Sequence, residues 1–209
     1  MSTPEEKITR ESYNKIARRW SEKNGAATIW DEEIKNFFRL LGKKKSILEI
    51  GSGCGRDAEI FIKAGYKYTG VDASSSLLDI ARKRVPGTIF LEQSVYELNF
   101  PGGVQFDGFW TSATLLHIPK TRIGRVLRKI KKFVKDGGIG FISVKEGVGE
   151  KTETGMTGYG SDDKRFFAYY SKEEFGDILS KNGLEIVKAY SLKINNKTTY
   201  LCFFVRVIK

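Results

Sequence analysis

The chain has 209 residues, a formal net charge of +11 and two cysteines, a length that suits one domain with a substantial core. No apolar run approaches the ~20 residues that span a bilayer, and the acidic Glu5 and Glu6 stand where a secretory signal needs a basic start, so we expect a cytoplasmic protein without a membrane segment. Cys54 and Cys202 lack the spacing of a zinc site or a disulfide framework, which predicts two reduced thiols and no metal.

Two helices are predicted before the first strand. Residues 5–22 and 30–41 have helical patterns separated by the turn-prone Asn24-Gly25. Residues 1–42 would then form a helical cap on a single domain of residues 1–209. Tyr13 and Trp20 lie seven residues apart and share one face of the first helix. That face can pack in the core or close over a ligand, and Tyr13 is the candidate ligand contact.

From residue 46 the pattern alternates between strands and helices. The predicted strands are 46–50, 68–72, 88–93, 106–112 and 139–144, and the predicted helices between and after them are 57–64, 77–84, 122–135 and 171–181. Such alternation indicates a parallel sheet covered by helices on both faces, which is a doubly wound α/β fold. Residues 184–192 and 198–208 follow each other without a helix and predict a terminal antiparallel hairpin.

Much of the positive charge lies in residues 43–45 and in the helix of residues 122–135. The apolar positions of this helix recur at three- and four-residue spacing, so its basic residues fall mainly on the other side. A solvated outer face explains this pattern without a partner. An RNA-binding surface is the alternative, although no aromatic residues interleave with the charges.

Residues 147–163 are rich in glycine and polar residues and are too long for a simple connector. We predict that residues 145–170 form a lid or substrate loop, with disorder of the polar stretch as the alternative. Arg165 and Tyr169 follow it and are candidate catalytic residues, because an aromatic wall can stabilise positive charge and a guanidinium can hold an anionic group. Simple packing of this segment on the sheet is the competing interpretation.

The turn E-I-G-S-G-C-G at residues 49–55 follows the first predicted strand. Ligands of open parallel sheets bind beyond the carboxyl ends of the strands. Glycines there let the backbone approach a nucleoside, and the following helix offers free N–H groups. Asp72 ends the second strand, where a carboxylate can accept hydrogen bonds from two ribose hydroxyls. An adenosine-containing cofactor is predicted.

The residues around the turn favour a cationic cofactor. The third glycine of the pyrophosphate-binding fingerprint would fall on Arg56. Glu49, two residues before the first glycine, would repel a pyrophosphate. S-adenosylmethionine carries a sulfonium and an ammonium group and no phosphate, so it suits this turn better than NAD. A nicotinamide oxidoreductase with an unusual turn stays open as an alternative.

Four stretches resemble the motifs of the class I S-adenosylmethionine-dependent methyltransferases, over nearly the whole chain. They are S-Y-N-K-I-A-R-R-W (12–20), L-E-I-G-S-G-C-G-R-D (48–57), G-V-D-A-S (70–74) and F-D-G-F-W-T-S-A-T-L-L-H-I-P (106–119). The resemblance implies a Rossmann-like, seven-stranded, mostly parallel sheet with an antiparallel last strand. It also implies methyl transfer from S-adenosylmethionine, with S-adenosylhomocysteine as the product.

The resemblance further implies cofactor-binding roles for residues at the ends of the first four strands. The methionine part would lie against Gly51, Ser52 and Gly53 within the turn that Gly55 completes, and Glu49 would act through water or the ammonium group. The remaining contacts would be Asp72 on the ribose, Ala73 beside the adenine, and Thr111 and Ser112 near the methionine and the transferring methyl group.

One position departs from the family pattern. After the third strand the family commonly has an acidic residue that contacts the adenine amino group, whereas this chain has Ser94. The departure leaves that adenine contact open. The backbone N–H of Val95 could still contribute, since it does not depend on a side chain.

His117 is the only histidine and follows the fourth strand, where it could act as a general base. Ordering the loop by hydrogen bonding is the competing role, because alignment alone can supply most of the catalysis of methyl transfer. The chain has little beyond the core fold, so we expect a small-molecule acceptor. An RNA methyltransferase and a cofactor-binding module without catalysis are the alternatives, and the oligomeric state is open.

Overall fold

A computed structural model describes residues 3–43, 45–155, 159 and 163–209. The α-helices of the described residues are Pro4–Asn24 (α1), Asp31–Leu41 (α2), Arg56–Lys63 (α3), Ser75–Arg84 (α4), Lys120–Lys132 (α5) and Lys172–Lys181 (α6). The strands are Ser46–Ile50 (β1), Lys67–Asp72 (β2), Ile89–Glu92 (β3), Phe106–Thr111 (β4), Val134–Glu146 (β5), Glu150–Thr154 (β6), Lys164–Tyr170 (β7), Leu184–Asn195 (β8) and Thr198–Val207 (β9). Within these ranges, no helix combines the length and apolar character needed to cross a membrane.

The helices cover both faces of the sheet. Successive strand residues point to opposite faces, so Ile47 belongs to a core with Phe37 of α2, whereas Leu48 belongs to a second core with Leu127 of α5. Phe203 and Phe204 divide between the same two cores. The predicted doubly wound α/β fold is confirmed.

Seven strands form the main sheet in the order β3-β2-β1-β4-β5-β9-β8. The strands from β3 to β5 pair in parallel, whereas β9 lies between β5 and β8 and runs antiparallel to both. The predicted terminal hairpin is therefore present. Because β1, β2 and β4 are parallel, their carboxyl ends meet at one edge.

The segment predicted as an irregular lid is partly regular, and this part of the prediction is wrong. β6 lies within residues 147–163 and pairs antiparallel with β7, with Thr152 opposite Phe166. β6 is exposed and polar on nearly its whole length, so it shows no apolar alternation that would reveal a strand. Residues 156–158 and 160–162 of the predicted lid lie outside the described residues, as does Lys44 of the basic cluster at 43–45.

β7 extends the sheet beyond the end of β4. It pairs with β5 at Lys145 and Glu146, whereas β4 pairs with β5 only as far as Ile142. The β6–β7 hairpin therefore stands at the edge where the carboxyl ends of the parallel strands meet. This placement brings residues 164–170 to the predicted ligand site.

The two N-terminal helices pack against different parts of the molecule. α2 packs against one face of the sheet, where the ring centroids of Phe37 and Trp110 are 5.3 Å apart. α1 instead packs against the carboxyl ends of the strands and against β7. The hydroxyls of Thr9 and Ser12 accept the backbone N–H groups of Phe166 (3.1 Å) and Lys164 (3.0 Å) in β7.

Candidate active site

A cavity of about 1240 Å³ lies among the carboxyl ends of β1, β2, β4 and β5, the hairpin residues of β7 and helix α1. Most of the residues predicted for the site line it: Tyr13, Glu49, Gly51, Ser52, Gly53, Asp72, Ala73, Val95, Ser112, His117, Arg165 and Tyr169. Gly55, Ser94 and Thr111 do not line it. Gly55 caps α3, and Thr111 is fully buried.

The glycine turn is hydrogen-bonded to β2 and packs against the loop after β4. The N–H groups of Gly51 and Ser52 donate to the carbonyl of Val71 at 2.8 and 3.0 Å. Gly51 has φ +77°, and a Cβ there would lie 2.0 Å from Oγ1 of Thr114. Only glycine fits both the left-handed backbone and this close approach, so the turn presents bare backbone to the cavity.

Asp72 is held rigidly at the end of β2. Its Oδ2 accepts the N–H of Gly53 and its Oδ1 accepts the N–H of Ser74, both at 2.8 Å. Burial raises the pKa of the Asp72 carboxyl, and the two backbone donors oppose that rise by stabilising the anion. Each carboxylate oxygen can accept more than one hydrogen bond, which leaves acceptor capacity for a ligand in the cavity.

Glu49 lies in the cavity wall beneath the turn, with 2% of its surface exposed. Its Oε2 accepts the hydroxyl proton of Tyr68. Burial and the nearby negative charge of Asp57 raise the pKa of Glu49 well above its ordinary value. A cation in the cavity would favour the ionised carboxylate, because an opposite charge offsets the cost of burial.

His117 uses both ring nitrogens within the protein. Its Nδ1–H donates to the carbonyl of Phe166 at 2.6 Å, which leaves Nε2 to accept the Tyr13 hydroxyl at 3.0 Å. Burial and the nearby cation of Arg165 lower the pKa of His117 to about 3. This arrangement favours the loop-ordering role over that of a general base in direct contact with the acceptor.

Arg165 continues the same chain of hydrogen bonds. Its Nη1 donates to the Tyr13 hydroxyl at 2.9 Å, and its Nε and Nη2 contact the two carboxylate oxygens of Asp163 at 2.5 and 3.1 Å. The charge of Arg165 is therefore already balanced by Asp163. Tyr13, predicted as a cofactor contact, lies between the histidine and the arginine, and Trp20 of the same helix face stands over Gly53.

Tyr169 of β7 and Lys145 of β5 line one side of the cavity. The Tyr169 hydroxyl donates to Glu153 at 2.6 Å. Nζ of Lys145 lies 3.9 Å from the ring centroid of Phe167, and no carboxylate lies within 4.0 Å of it among the residues that the structure describes. Burial lowers the pKa of this half-buried ammonium. Lys145 was not among the residues predicted for the site, although its place at the end of an apolar strand is a signal for a site residue.

A strained residue also escaped the sequence analysis. Ala113, directly after Ser112, has φ +50°, a left-handed conformation that residues with a Cβ rarely adopt. Its N–H donates to Oγ of Ser143 at 2.8 Å, which holds the turn in place. Such strain is concentrated at functional sites, because the surrounding structure must stabilise it.

The basic helix α5 does not contribute to the cavity. No basic residue of α5 is among those that line it. Across the described ranges, His, Cys, Asp and Glu residues form no group of three or more that could hold a metal ion.

Comparisons with known proteins agree with this geometry. The model of the family described as "Methyltransferase domain" matches residues 47–138, which include the glycine turn, Asp72 and β4. No curated protein sequence matches the chain.

Solved structures resemble the whole chain. The 1,6-didemethyltoxoflavin-N1-methyltransferase of Burkholderia thailandensis, with bound 1,6-didemethyltoxoflavin and S-adenosylhomocysteine, is 21% identical, with a TM-score of 0.79 over 100% of this chain and 92% of that one. The magnesium protoporphyrin IX methyltransferase of Synechocystis PCC 6803, with bound S-adenosylmethionine, is 14% identical, with a TM-score of 0.75 over 99% and 98%. The [4+2]-cyclase SpnF is 18% identical, with a TM-score of 0.66 over 85% and 80%. At these identities the likeness shows the fold.

The fold and the turn define a Rossmann-like protein with a cavity at the ends of β1 and β2. Residues 47–138 match the methyltransferase-domain family, and the chain has the fold of solved S-adenosylmethionine-dependent methyltransferases.

Proposed function

We propose that the protein transfers a methyl group from S-adenosylmethionine to a small, planar acceptor. One observation carries the cofactor half of this proposal. Two backbone N–H groups fix Asp72 in position. It lies beside a turn in which residue 51 must be glycine. A rigid carboxylate with free acceptor capacity suits a pair of ribose hydroxyls.

The cofactor would follow the strand ends. The ribose would lie on Asp72, the adenine near Ala73 and Val95, and the methionine part along residues 51–53. The buried Glu49 supports a cationic ligand, because a sulfonium or ammonium group would favour its ionised form. Ser112, whose hydroxyl donates to Asp57 at 3.2 Å, would lie near the transferring methyl group.

The acceptor would lie between α1 and the β5 and β7 side of the cavity. Aromatic rings of Tyr13, Phe167 and Tyr169 line this region, and such surfaces suit a flat molecule. At the β5 and β7 side, Arg165 is paired with Asp163, and Lys151 lies 2.9 Å from Glu153, whereas Lys145 has no salt bridge among the residues that the structure describes. The charge of Lys145 supports an acceptor with an acidic hydroxyl, imide or carboxyl group.

Two further features support a small acceptor over RNA. The basic side chains of α5 do not line the cavity. The Burkholderia thailandensis structure, similar over the whole chain, holds the small molecule 1,6-didemethyltoxoflavin. In catalysis, Arg165 and Tyr169 would shape the acceptor wall, and alignment of the acceptor with the methyl group would supply much of the rate.

Two measurements test the proposal. Calorimetry should show binding of S-adenosylmethionine and S-adenosylhomocysteine and no binding of NADH. Transfer of a labelled methyl group should then be followed into a pool of acidic aromatic metabolites and into bulk tRNA, with Lys145→Met and, as the matched control on α5, Lys132→Met. Label in the metabolite pool that falls at least tenfold in Lys145→Met alone supports the acceptor site.

Two outcomes would reject it. Tight NADH binding without a response to the sulfonium cofactor would reject the cofactor assignment. Label in tRNA that depends steeply on salt and is lost in Lys132→Met would favour an RNA methyltransferase instead.

A further inference from the structure

Glu6 of α1 is a buried carboxylate in the wall of the cavity. Its exposed fraction is 8%. Oε1 accepts the hydroxyl proton of Ser94, the residue that follows β3 by two positions. Oε2 is buried and has no hydrogen-bond partner among the residues that the structure describes. A buried acceptor without a donor is costly, which points to a donor that the protein alone does not supply.

The position of Glu6 identifies the part of a ligand that it would meet. β2 and β3 pair in parallel with Asp72 opposite Glu92, so the end of β3 lies about 4.8 Å from the end of β2. Gln93 and Val95 line the cavity there, together with Glu6. A flat base carried by a ribose on Asp72 would extend into this region, with its outer edge toward α1.

We propose that the free oxygen of Glu6 accepts a hydrogen bond from the exocyclic amino group of the adenine, so that α1 selects a 6-aminopurine. This inference rests on the proposed function, because it requires the ribose on Asp72. A carboxylate offers only acceptors. It attracts an amino group at the purine C6 position and repels a carbonyl oxygen there.

The same contact gives Ser94 a role. A serine at this position cannot present a charge to the base, but its hydroxyl donates to Oε1 of Glu6 and orients the carboxylate. The charged acceptor then comes from a helix 88 residues earlier in the chain. Thr3, the N-cap of α1, accepts the Glu6 N–H at 3.2 Å and fixes the first turn of the helix.

The test compares two ligands that differ only at the purine C6 position. Dissociation constants of S-adenosylhomocysteine and S-inosylhomocysteine are measured by calorimetry for the wild-type protein, Glu6→Gln and Glu11→Gln. Glu11 is an exposed residue of the same helix and provides the matched control. We expect the wild-type protein and Glu11→Gln to prefer the adenosyl ligand by about 10- to 100-fold, since a charged hydrogen bond is replaced by repulsion. In Glu6→Gln the amide can donate to the carbonyl oxygen, and the preference should fall below about threefold.

The ratio of the two constants separates recognition from a purely structural role, because a shifted helix would weaken both ligands equally. A wild-type ratio near one, or an unchanged ratio in Glu6→Gln, would overturn the inference. A wild-type ratio near one overturns the inference even if Glu6→Gln does not fold. Absence of any S-adenosylhomocysteine binding to the wild-type protein would instead reject the proposed function on which the inference rests.

Discussion

Replacing Asp72 by asparagine isolates the contribution of one charged acceptor. In the wild-type protein both carboxylate oxygens accept a backbone N–H at 2.8 Å. Asparagine keeps one oxygen and turns an NH₂ group toward the donor that has lost its acceptor. The side chain therefore loses one of its two backbone bonds and presents one acceptor fewer to the ribose.

The size of the effect follows from the strength of such bonds. A hydrogen bond to a charged group contributes about 1.5–3 kcal/mol. Loss of one ribose contact of this kind should weaken S-adenosylhomocysteine binding by about 10- to 150-fold. Isothermal titration calorimetry measures the change, with circular dichroism to verify the fold. Asp79→Asn, at an exposed position of α4, is the control and should bind as the wild-type protein does. An Asp72→Asn affinity within threefold of wild type would refute the ribose assignment.

Three further outcomes are expected. Gly51→Ala should abolish cofactor binding in calorimetry and lower the melting temperature, since its Cβ would lie 2.0 Å from Thr114 Oγ1 at φ +77°; near-wild-type values would contradict the packing of the turn. His117 has a pKa of about 3 in the folded protein and 6.5 in the unfolded chain, so it is neutral in the fold. Between pH 3 and 6.5 only the unfolded chain binds this proton, and stability therefore falls on acidification. Urea titrations should therefore show a loss of about 2 kcal/mol between pH 7 and 5 that disappears in His117→Gln; equal losses would disprove the neutral state. Cys54 and Cys202 are both buried, and burial raises the pKa of Cys202 to about 12, so neither should react with a thiol reagent until the protein unfolds; rapid reaction of the native protein would be inconsistent with this burial.

The site residues that could be predicted from the sequence lie directly at the ends of strands. Asp72 closes a short apolar strand, and the glycines follow another, so their roles can be inferred from a few neighbouring residues. The contacts between Tyr13, His117 and Arg165 join residues 104 and 152 positions apart. No pattern in one sequence reveals such pairs.

Two other features were hidden for different reasons. β6 is a polar strand, exposed on both faces, so it lacks the alternation by which a strand is recognised. The tie between Glu6 and Ser94 depends on how α1 crosses the strand ends, which is set by tertiary packing. The serine at position 94 was visible in the sequence, but its hydrogen bond to Glu6 was not.

The side chains of Thr9 and Ser12 also cover part of a strand edge. They occupy two backbone N–H groups on the edge of β7 that faces away from β6. An uncovered strand edge of this kind can pair with a strand of another molecule. Displacement of α1 would expose these two donors next to the aromatic residues of the hairpin. We therefore expect α1, by covering this edge, to limit aggregation of the protein.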